Sequence, residues 1–417
     1  MARILMAWEL GGGMGHVVPL SQLAQVLIDR GHQVDFVLRD LAGACDGLGA
    51  LAKHPRVRLW QAPIWTAQLQ GVAPPISYAE LLFHAGYLDA RRLLSLVQAW
   101  RNLFDAIQPQ LLLADHAPTA MLAARTMGTM SMATAVIGTG FFIPPALAPL
   151  PSFREWERVD PARLVQTEAR ALATCNALLG QFEAAPLAAL HQLVAADQQF
   201  LLTWPELDHY GSSGRQHAQY WGPLPAREQG GAALWPASTA PESRPRLFAY
   251  LKGEYGGVER VLQCLRAGPW LSLVHVTGLR PDMRQRFTHA NLAFSDGPVA
   301  MAEALGQAQA VLCHAGSGTV CTALQAGVPV LMLPMHAEQL LFARRVSAAR
   351  AGLYVLEADL AKQLPAAMQQ VMVAGELRSG AQALAARHGA TPAAEVGGVC
   401  VRLALRCEAL LAARELA

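Results

Sequence analysis

The chain contains no Asp-x-Asp pair, no Cys-x-x-Cys pair, no Gly-x-Ser-x-Gly elbow and no marked excess of either charge. Each absence removes a class of protein. Without closely spaced carboxylates there is no evident metal clamp, so no metal is expected. Seven scattered cysteines (45, 175, 264, 313, 321, 400 and 407) give no zinc-type spacing, and an odd, unclustered set fits a reducing cytoplasm. A serine hydrolase of the elbow type is disfavoured. A net charge of +2 makes no electrostatic case for nucleic acid or an anionic membrane. No apolar run reaches the roughly 18 residues of a membrane span. The start, MARILMAWEL, has one Arg and an apolar run broken by Glu9, and reads as a first strand rather than a signal peptide. Charged residues are scarce at 15% and hydrophobic ones make up 53%, so 417 residues can bury large cores in two or three domains.

What is present alternates. Ile4 to Trp8 reads as a strand, Gly11 to Gly15 as a turn, and Val17 to Arg30 as a helix with Leu20, Leu23, Ala24, Leu27 and Ile28 on one face. Pro19 is placed in that helix's first turn, where a missing N–H costs nothing. Further strands are expected at 33–38, 57–61, 111–115 and 131–137, with helices at 87–107 and 118–128. This repetition implies a parallel, doubly wound sheet. Residues 204–245 are rich in Pro, Gly and Ser and lack periodicity, as a linker does. A second β-α series opens with RLFAYLK at 246 and continues through LSLVHVT at 271. Helical pattern follows, ending in an amphipathic stretch from Val396 to Ala413.

The densest chemistry lies in the second series. A buried strand ends at Cys313 and runs into His314-Ala315-Gly316-Ser317-Gly318-Thr319, followed by Ala326-Gly327-Val328-Pro329, a strand VLMLP, and Glu338-Gln339. Glycines at 316 and 318 let the backbone approach a bulky anion closely. Ser317 and Thr319 add hydroxyls, and the helix that follows offers free N–H groups and the positive end of its dipole. His314 stands at the strand end, where it can donate to a phosphate oxygen. A carboxylate beside a carboxamide offers several acceptors and donors to adjacent hydroxyls of a sugar ring. In the first series, His16 in Gly11-Gly12-Gly13-Met14-Gly15-His16 sits at a strand's C-terminal end and a helix N-terminus. The dipole there favours a neutral imidazole, as a general base at neutral pH requires. Asp115, at the end of another strand, is the natural partner to fix its tautomer. A strand-end carboxylate also commonly caps the next helix. His116 is expected to point to the opposite face.

These motifs resemble the donor signature of glycosyltransferase family one, from about Pro298 to Gly352, with weaker features over most of the chain. The resemblance implies an α/β fold of GT-B type: two Rossmann-like parallel-sheet domains facing a central cleft. The implied domains are 1–223 for the acceptor, 224–245 as linker, 246–395 for the nucleotide sugar, and 396–417 as a helix returning to the N-terminal domain. It implies that the turn from His314 to Thr319 holds the donor diphosphate and that Glu338 and Gln339 hold the sugar. It also implies that Pro298 and Val299 flank the base through backbone groups, and that His16 and Asp115 are catalytic. Lys252-Gly253-Glu254 and Gly15 are expected to line the cleft. Where the family often has a Glu for the ribose, this chain has Thr322, which leaves UDP and dTDP donors both open.

The expected reaction is inverting transfer of a hexose from a UDP- or dTDP-sugar to a hydroxyl of an apolar or aromatic small molecule, without metal or cofactor. Trp65, Phe83, Phe141 and Phe142, on two long loops expected after strands of the first domain (63–87 and 138–156), are candidates for the acceptor wall. Packing within the domain explains them equally well. A cytoplasmic protein, with a homodimer left open, completes the expectation. Rivals are a nucleotide-sugar epimerase of the same fold, a catalytically silent partner protein, and a nicotinamide-dependent oxidoreductase using Asp35 or Asp40. The last has the wrong glycine spacing and leaves Gly316 to Gln339 unexplained.

Overall fold

The computed structural model describes residues 1–67, 69, 71, 73–128, 132–211, 214, 215, 218–224, 230–237, 244–389 and 393–415. The chain divides into two compact units, Met1–Leu224 with Ala393–Ala417, and Pro225–Pro392. Much of the expected linker, 225–229 and 238–243, lies outside the described residues. Of the remainder, Gly231 forms a parallel bridge with Val299 inside the second unit.

In the first unit the elements are β1 (Arg3–Trp8), α1 (Met14–Asp29), β2 (Gln33–Leu38), α2 (Leu41–Leu48), β3 (Val57–Gln61), α3 (Tyr78–Phe83), α4 (Ala90–Ile107), β4 (Leu111–Asp115), α5 (Pro118–Arg125), β5 (Ala133–Gly138), α6 (Pro161–Gln181) and β6 (Gln198–Leu201). The sheet order is β3-β2-β1-β4-β5-β6, all parallel. Central strands of such a sheet are covered on both faces, so they read as continuous apolar runs; every residue of β4 is buried. One core lies on each face. Leu93, Val97, Trp100 and Phe104 of α4 pack on one side. Leu20, Leu23, Ala24 and Leu27 of α1 pack on the other, beside Cys400, Leu403 and Cys407.

The second unit contains β7 (Arg246–Lys252), α7 (Val258–Ala267), β8 (Leu271–Thr277), α8 (Pro281–Phe287), β9 (Leu292–Phe294), α9 (Met301–Leu305), β10 (Ala310–Cys313), α10 (Ser317–Gln325), β11 (Val330–Met332), α11 (Ala337–Ala348), β12 (Gly352–Tyr354), α12 (Leu360–Val373) and α13 (Gly375–His388). Its order, β12-β11-β10-β7-β8-β9, is the first sheet's order read from the other edge. The last helix, α14 (Ala393–Glu415), belongs to the first unit. There Glu408 receives Arg30 at 2.6 Å and His32 at 3.0 Å.

Two helix expectations change. The expected helix 87–107 begins three residues late, at Ala90, because Asp89 accepts from the backbone of Arg91 and Arg92 and so caps α4 there. Tyr87 is buried in the turn before it. Helix α1 starts three residues earlier than expected, at Met14. Pro19 therefore lies in its second turn and has no N–H to give the carbonyl of Gly15. The strand β6 and the long α6 were not expected at all. Residues 161–181 carry mixed polar and apolar positions, and only Asp160, which accepts from Ala162, and Pro161 mark the start.

Candidate active site

Both sheets reverse their strand order at one place, and ligands of open α/β sheets bind outside the strand ends there. In the first unit that place is between β1 and β4, whose last residues Trp8 and Asp115 are in register. Gly13, at φ +85°, turns the chain from β1 into α1 and sets His16 in the helix's first turn. The Nδ1–H of His16 donates to Asp115 Oδ1 at 3.0 Å. The bond fixes the tautomer, which directs the chemistry of the ring to Nε2. Trp8 stacks on the imidazole at 5.3 Å and 19°. Phe142 stands 5.8 Å from it. A side chain at Gly11, where φ is +86°, would put its first carbon 2.6 Å from Nε2. Glycine is thus needed twice over at 11, for the backbone and for the base.

His116 does not turn away from this cluster as expected. Its φ of +45° brings the ring back, 3.3 Å from Phe142 and nearly parallel to it, and 6.3 Å from His16. Burial holds its pKa well below the usual imidazole range, so the ring is neutral. Both of its nitrogens are buried without a partner among the described residues.

The aromatic candidates separate. Only Phe142 borders His16. Phe141 is buried against Phe153 and His209, and Phe83 is buried in α3 beneath Arg170. Trp65 is half-buried beneath Arg92 and against Gly86. The loop carrying Phe142 is held by a bracket that the sequence did not announce. Arg215 donates to the carbonyls of Ile143 and Gly140 at 2.6 and 2.8 Å and pairs with the buried Asp208 at 2.5 Å. Tyr210 donates to the carbonyl of Phe141 at 3.0 Å. The acidic residues of the oxidoreductase rival are occupied elsewhere: Asp35 receives Arg58 and Trp60, and Asp40 caps α2.

In the second unit the reversal lies between β7 and β10. His314 follows β10, Ala315 takes φ +59°, and Gly316 is the N-cap of α10. Gly316 itself has an ordinary φ of −67°. A carbon added at Gly316 or Gly318 would meet nothing within 4 Å among the described residues. The protein's own packing therefore gives no reason for glycine at either place; open space before a helix N-terminus does. Ser317, Gly318 and Thr319 form the first turn of that helix.

His314 departs from expectation. Its Nε2 accepts from the backbone N–H of Lys252 at 3.0 Å, and its Nδ1–H donates to the carbonyl of Leu333 at 2.9 Å. Both nitrogens are committed, so the ring ties the ends of β7, β10 and β11 together and offers no proton to an anion here. Burial lowers its pKa, as neutrality in this role requires. Gln339 Oε1 accepts from Met335 N–H at 2.8 Å, a local cap at the start of α11, with Glu338 beside it in the first turn. Thr322 donates to the carbonyl of Gly318 at 2.7 Å. The Gly231 bridge uses the carbonyl of Pro298 and the N–H of Ala300, so the amide groups of Val299 point to the other side. Gly253 approaches the backbone of Gly278 so closely that an added carbon would lie 2.4 Å from its carbonyl oxygen. Glu254 is exposed and pairs with Lys252 at 3.6 Å. Gly15 is exposed in the first turn of α1.

Residues 291–403 match the family model of the erythromycin biosynthesis protein CIII-like C-terminal domain. A PGL/p-HBAD biosynthesis glycosyltransferase of Mycobacterium tuberculosis (strain ATCC 25177 / H37Ra) is 27% identical over 405 residues, covering 93% of this chain and 89% of the relative. Among solved structures, the calicheamicin glycosyltransferase CalG4 superposes with a TM-score of 0.70 at 18% identity, over 99% of this chain and 98% of that one. The glycosyltransferase VinC in complex with dTDP superposes with a TM-score of 0.59 at 16% identity, over 97% of this chain and 100% of that one. No described helix is long and apolar enough to cross a membrane. The two matched sheets and these superpositions give the chain a GT-B fold, and over most of its length it is similar to glycosyltransferases of biosynthetic pathways.

Proposed function

We propose that the chain transfers a hexose, with inversion and without metal, from a nucleotide diphosphate sugar to a hydroxyl of an apolar or aromatic small molecule. The observation that carries this reading is the His16–Asp115 pair at the strand-order reversal of the first unit, 3.0 Å apart and flanked by Trp8 and Phe142. His16 Nε2 takes the proton of the acceptor hydroxyl as its oxygen attacks the anomeric carbon. The carbon–oxygen bond to the diphosphate breaks on the opposite side, and the electron pair leaves with the nucleotide. Asp115 stabilises the imidazolium that forms. A positioned base of this kind contributes about 10² to 10⁴ in rate.

The leaving diphosphate is received by the N–H groups and hydroxyls of Ser317, Gly318 and Thr319 at the start of α10. Charge growing there meets donors already in place. We assign His314 to holding this turn rather than to the phosphate. The dTDP carried by VinC favours a dTDP donor over UDP. The neutral aromatic surroundings of His16 favour an acceptor hydroxyl on an apolar or aromatic body.

Thermal shift against dTDP, UDP and GDP tests the donor class, since a ligand stabilises by an amount that grows with the logarithm of its concentration over its dissociation constant. A selective rise with dTDP is expected. No shift with any nucleotide contradicts the reading. His16→Asn should leave that shift intact and abolish transfer across a panel of phenols and aliphatic alcohols; undiminished transfer by this variant removes His16 as the base.

A further inference from the structure

Helix α5, which follows Asp115 and His116, has no cap of its own. Its N-cap position is Ala117, whose side chain can accept nothing. The cap comes from another strand: Glu9, the residue after β1, accepts from Thr119 N–H through Oε2 at 2.9 Å. Its neighbour Leu10 donates its N–H to the carbonyl of His116 at 3.0 Å. The segment after β1 thus grips the turn after β4 on both sides of Ala117. Glu9 is 1% exposed, and its Oε1 is buried without a partner among the described residues.

We propose that Glu9 is a positioning residue for the His16–Asp115 pair, holding the β4–α5 turn so that Asp115 stays within hydrogen-bond reach of His16. The inference rests on the reading of that pair as the catalytic base and its orienting group. A helix that only needed a cap would be served by Ser or Asn at 117, exposed to none of the cost of burying a carboxylate. Here the carboxylate is supplied from the strand in register with the one that carries Asp115. It therefore couples two strand ends that the base needs aligned.

The groups facing Glu9 are few. Thr119 comes from α5, and its hydroxyl lies 3.2 Å from the Tyr87 hydroxyl. Tyr78 of α3 lies close enough for Glu9 to raise its pKa. Arg39, after β2, donates to the Glu9 main-chain carbonyl at 3.0 Å and is the nearby positive charge. Burial outweighs the Thr119 hydroxyl, the backbone N–H groups of Thr119 and Ala120, and Arg39, and lifts the Glu9 pKa to about 7. Below about pH 7 Glu9 caps α5 as the neutral acid; above it the carboxylate accepts more strongly from Thr119, although its buried charge costs the fold stability.

The test uses histidine-selective ¹⁵N NMR of the unliganded protein, with the His16 Nδ1 proton assigned by its loss in His16→Asn. No substrate is required, so the result stands whether or not His16 proves to be the base. Glu9→Ala should speed exchange of that proton with water at least tenfold while the melting curve stays cooperative. Adding Ala117→Ser, a local cap, should restore slow exchange. Glu9→Gln keeps an oxygen for Thr119 and should hold slow exchange at pH 6. It should also lack the further slowing that the native protein gains between pH 6 and 8. An Nδ1 proton unchanged in Glu9→Ala overturns the proposal. So does an increase that Ala117→Ser leaves untouched. If Glu9→Ala fails to fold, the Glu9→Gln comparison decides alone: an identical pH dependence in the two proteins overturns it.

Discussion

The His16 imidazole has its Nδ1 bound to Asp115, so a single hydrogen bond leaves Nε2 as the nitrogen that the proposed reaction would use. Asp115→Asn replaces the acceptor by an amide that can present its NH₂ group instead, and the favoured tautomer is lost. We expect transfer to fall by about 10² to 10⁴ with nucleotide affinity unchanged, measured by initial rates and titration of dTDP. Glu9 makes a separate prediction about stability. Its pKa rises from 4.5 to about 7 on folding, so the folded protein holds this proton more tightly than the unfolded chain. The stabilisation is full below pH 4.5 and is lost as pH climbs through about 7. Glu9→Gln should therefore gain on the native protein by an amount on the order of 3 kcal/mol between pH 4.5 and 8, read from urea denaturation. A difference in stability that does not vary with pH would show that Glu9 does not titrate in that range. Sequence reading reached His16 and Asp115 because strand-end position and residue type are local facts. It did not reach Glu9, whose partner Thr119 lies 110 residues away and is met only once β1 and β4 are paired.

At the scale of the turns, glycines of similar appearance divide by cause. Gly316 has open space and an unstrained backbone; Gly253 is pressed on the carbonyl of Gly278. Gly316→Ala should change stability by no more than about 0.5 kcal/mol yet weaken dTDP roughly tenfold, equivalent to about 1.4 kcal/mol. Gly253→Ala should cost about 1–3 kcal/mol in stability, because two backbone segments must separate. Calorimetry with and without dTDP distinguishes the pair. Reversed outcomes would mean that the α10 turn is shaped by packing and not by a ligand. The motif from His314 to Gln339 was legible as a strand, turn and helix, but the use of its polar groups was not. His314 lost its expected donor role to the N–H of Lys252 and the carbonyl of Leu333, which come from neighbouring strands. Gln339 is engaged by Met335 in the same way. Backbone groups at strand ends must find partners, and a nearby side chain of the right chemistry supplies one before any ligand does.

Over the whole chain, the alternating apolar runs made two doubly wound sheets readable, and both have the same strand order. The second unit's strands were found where RLFAYLK and LSLVHVT had placed them. The 3-residue β9, β11 and β12 were hard to delimit, since pairing and not length defines them. Helix α14 illustrates the limit from the other side: its amphipathic stripe was plain, but its seat on α1 follows from Glu408 meeting Arg30 and His32. Those partners hold the Glu408 pKa down at about 2. Removing residues 393–417 should uncover the apolar face of α1 and abolish the thermal transition of the first unit. The dTDP-stabilised transition of the second unit should remain. A truncated protein that melts as the full chain does would contradict this assignment. The most direct test of the central claim is the rate of dTDP release from dTDP-glucose with a phenol panel, compared between the native protein and His16→Asn at equal nucleotide saturation. The account predicts a fall of at least about 10² with dTDP bound as tightly as before; an unchanged rate would contradict it.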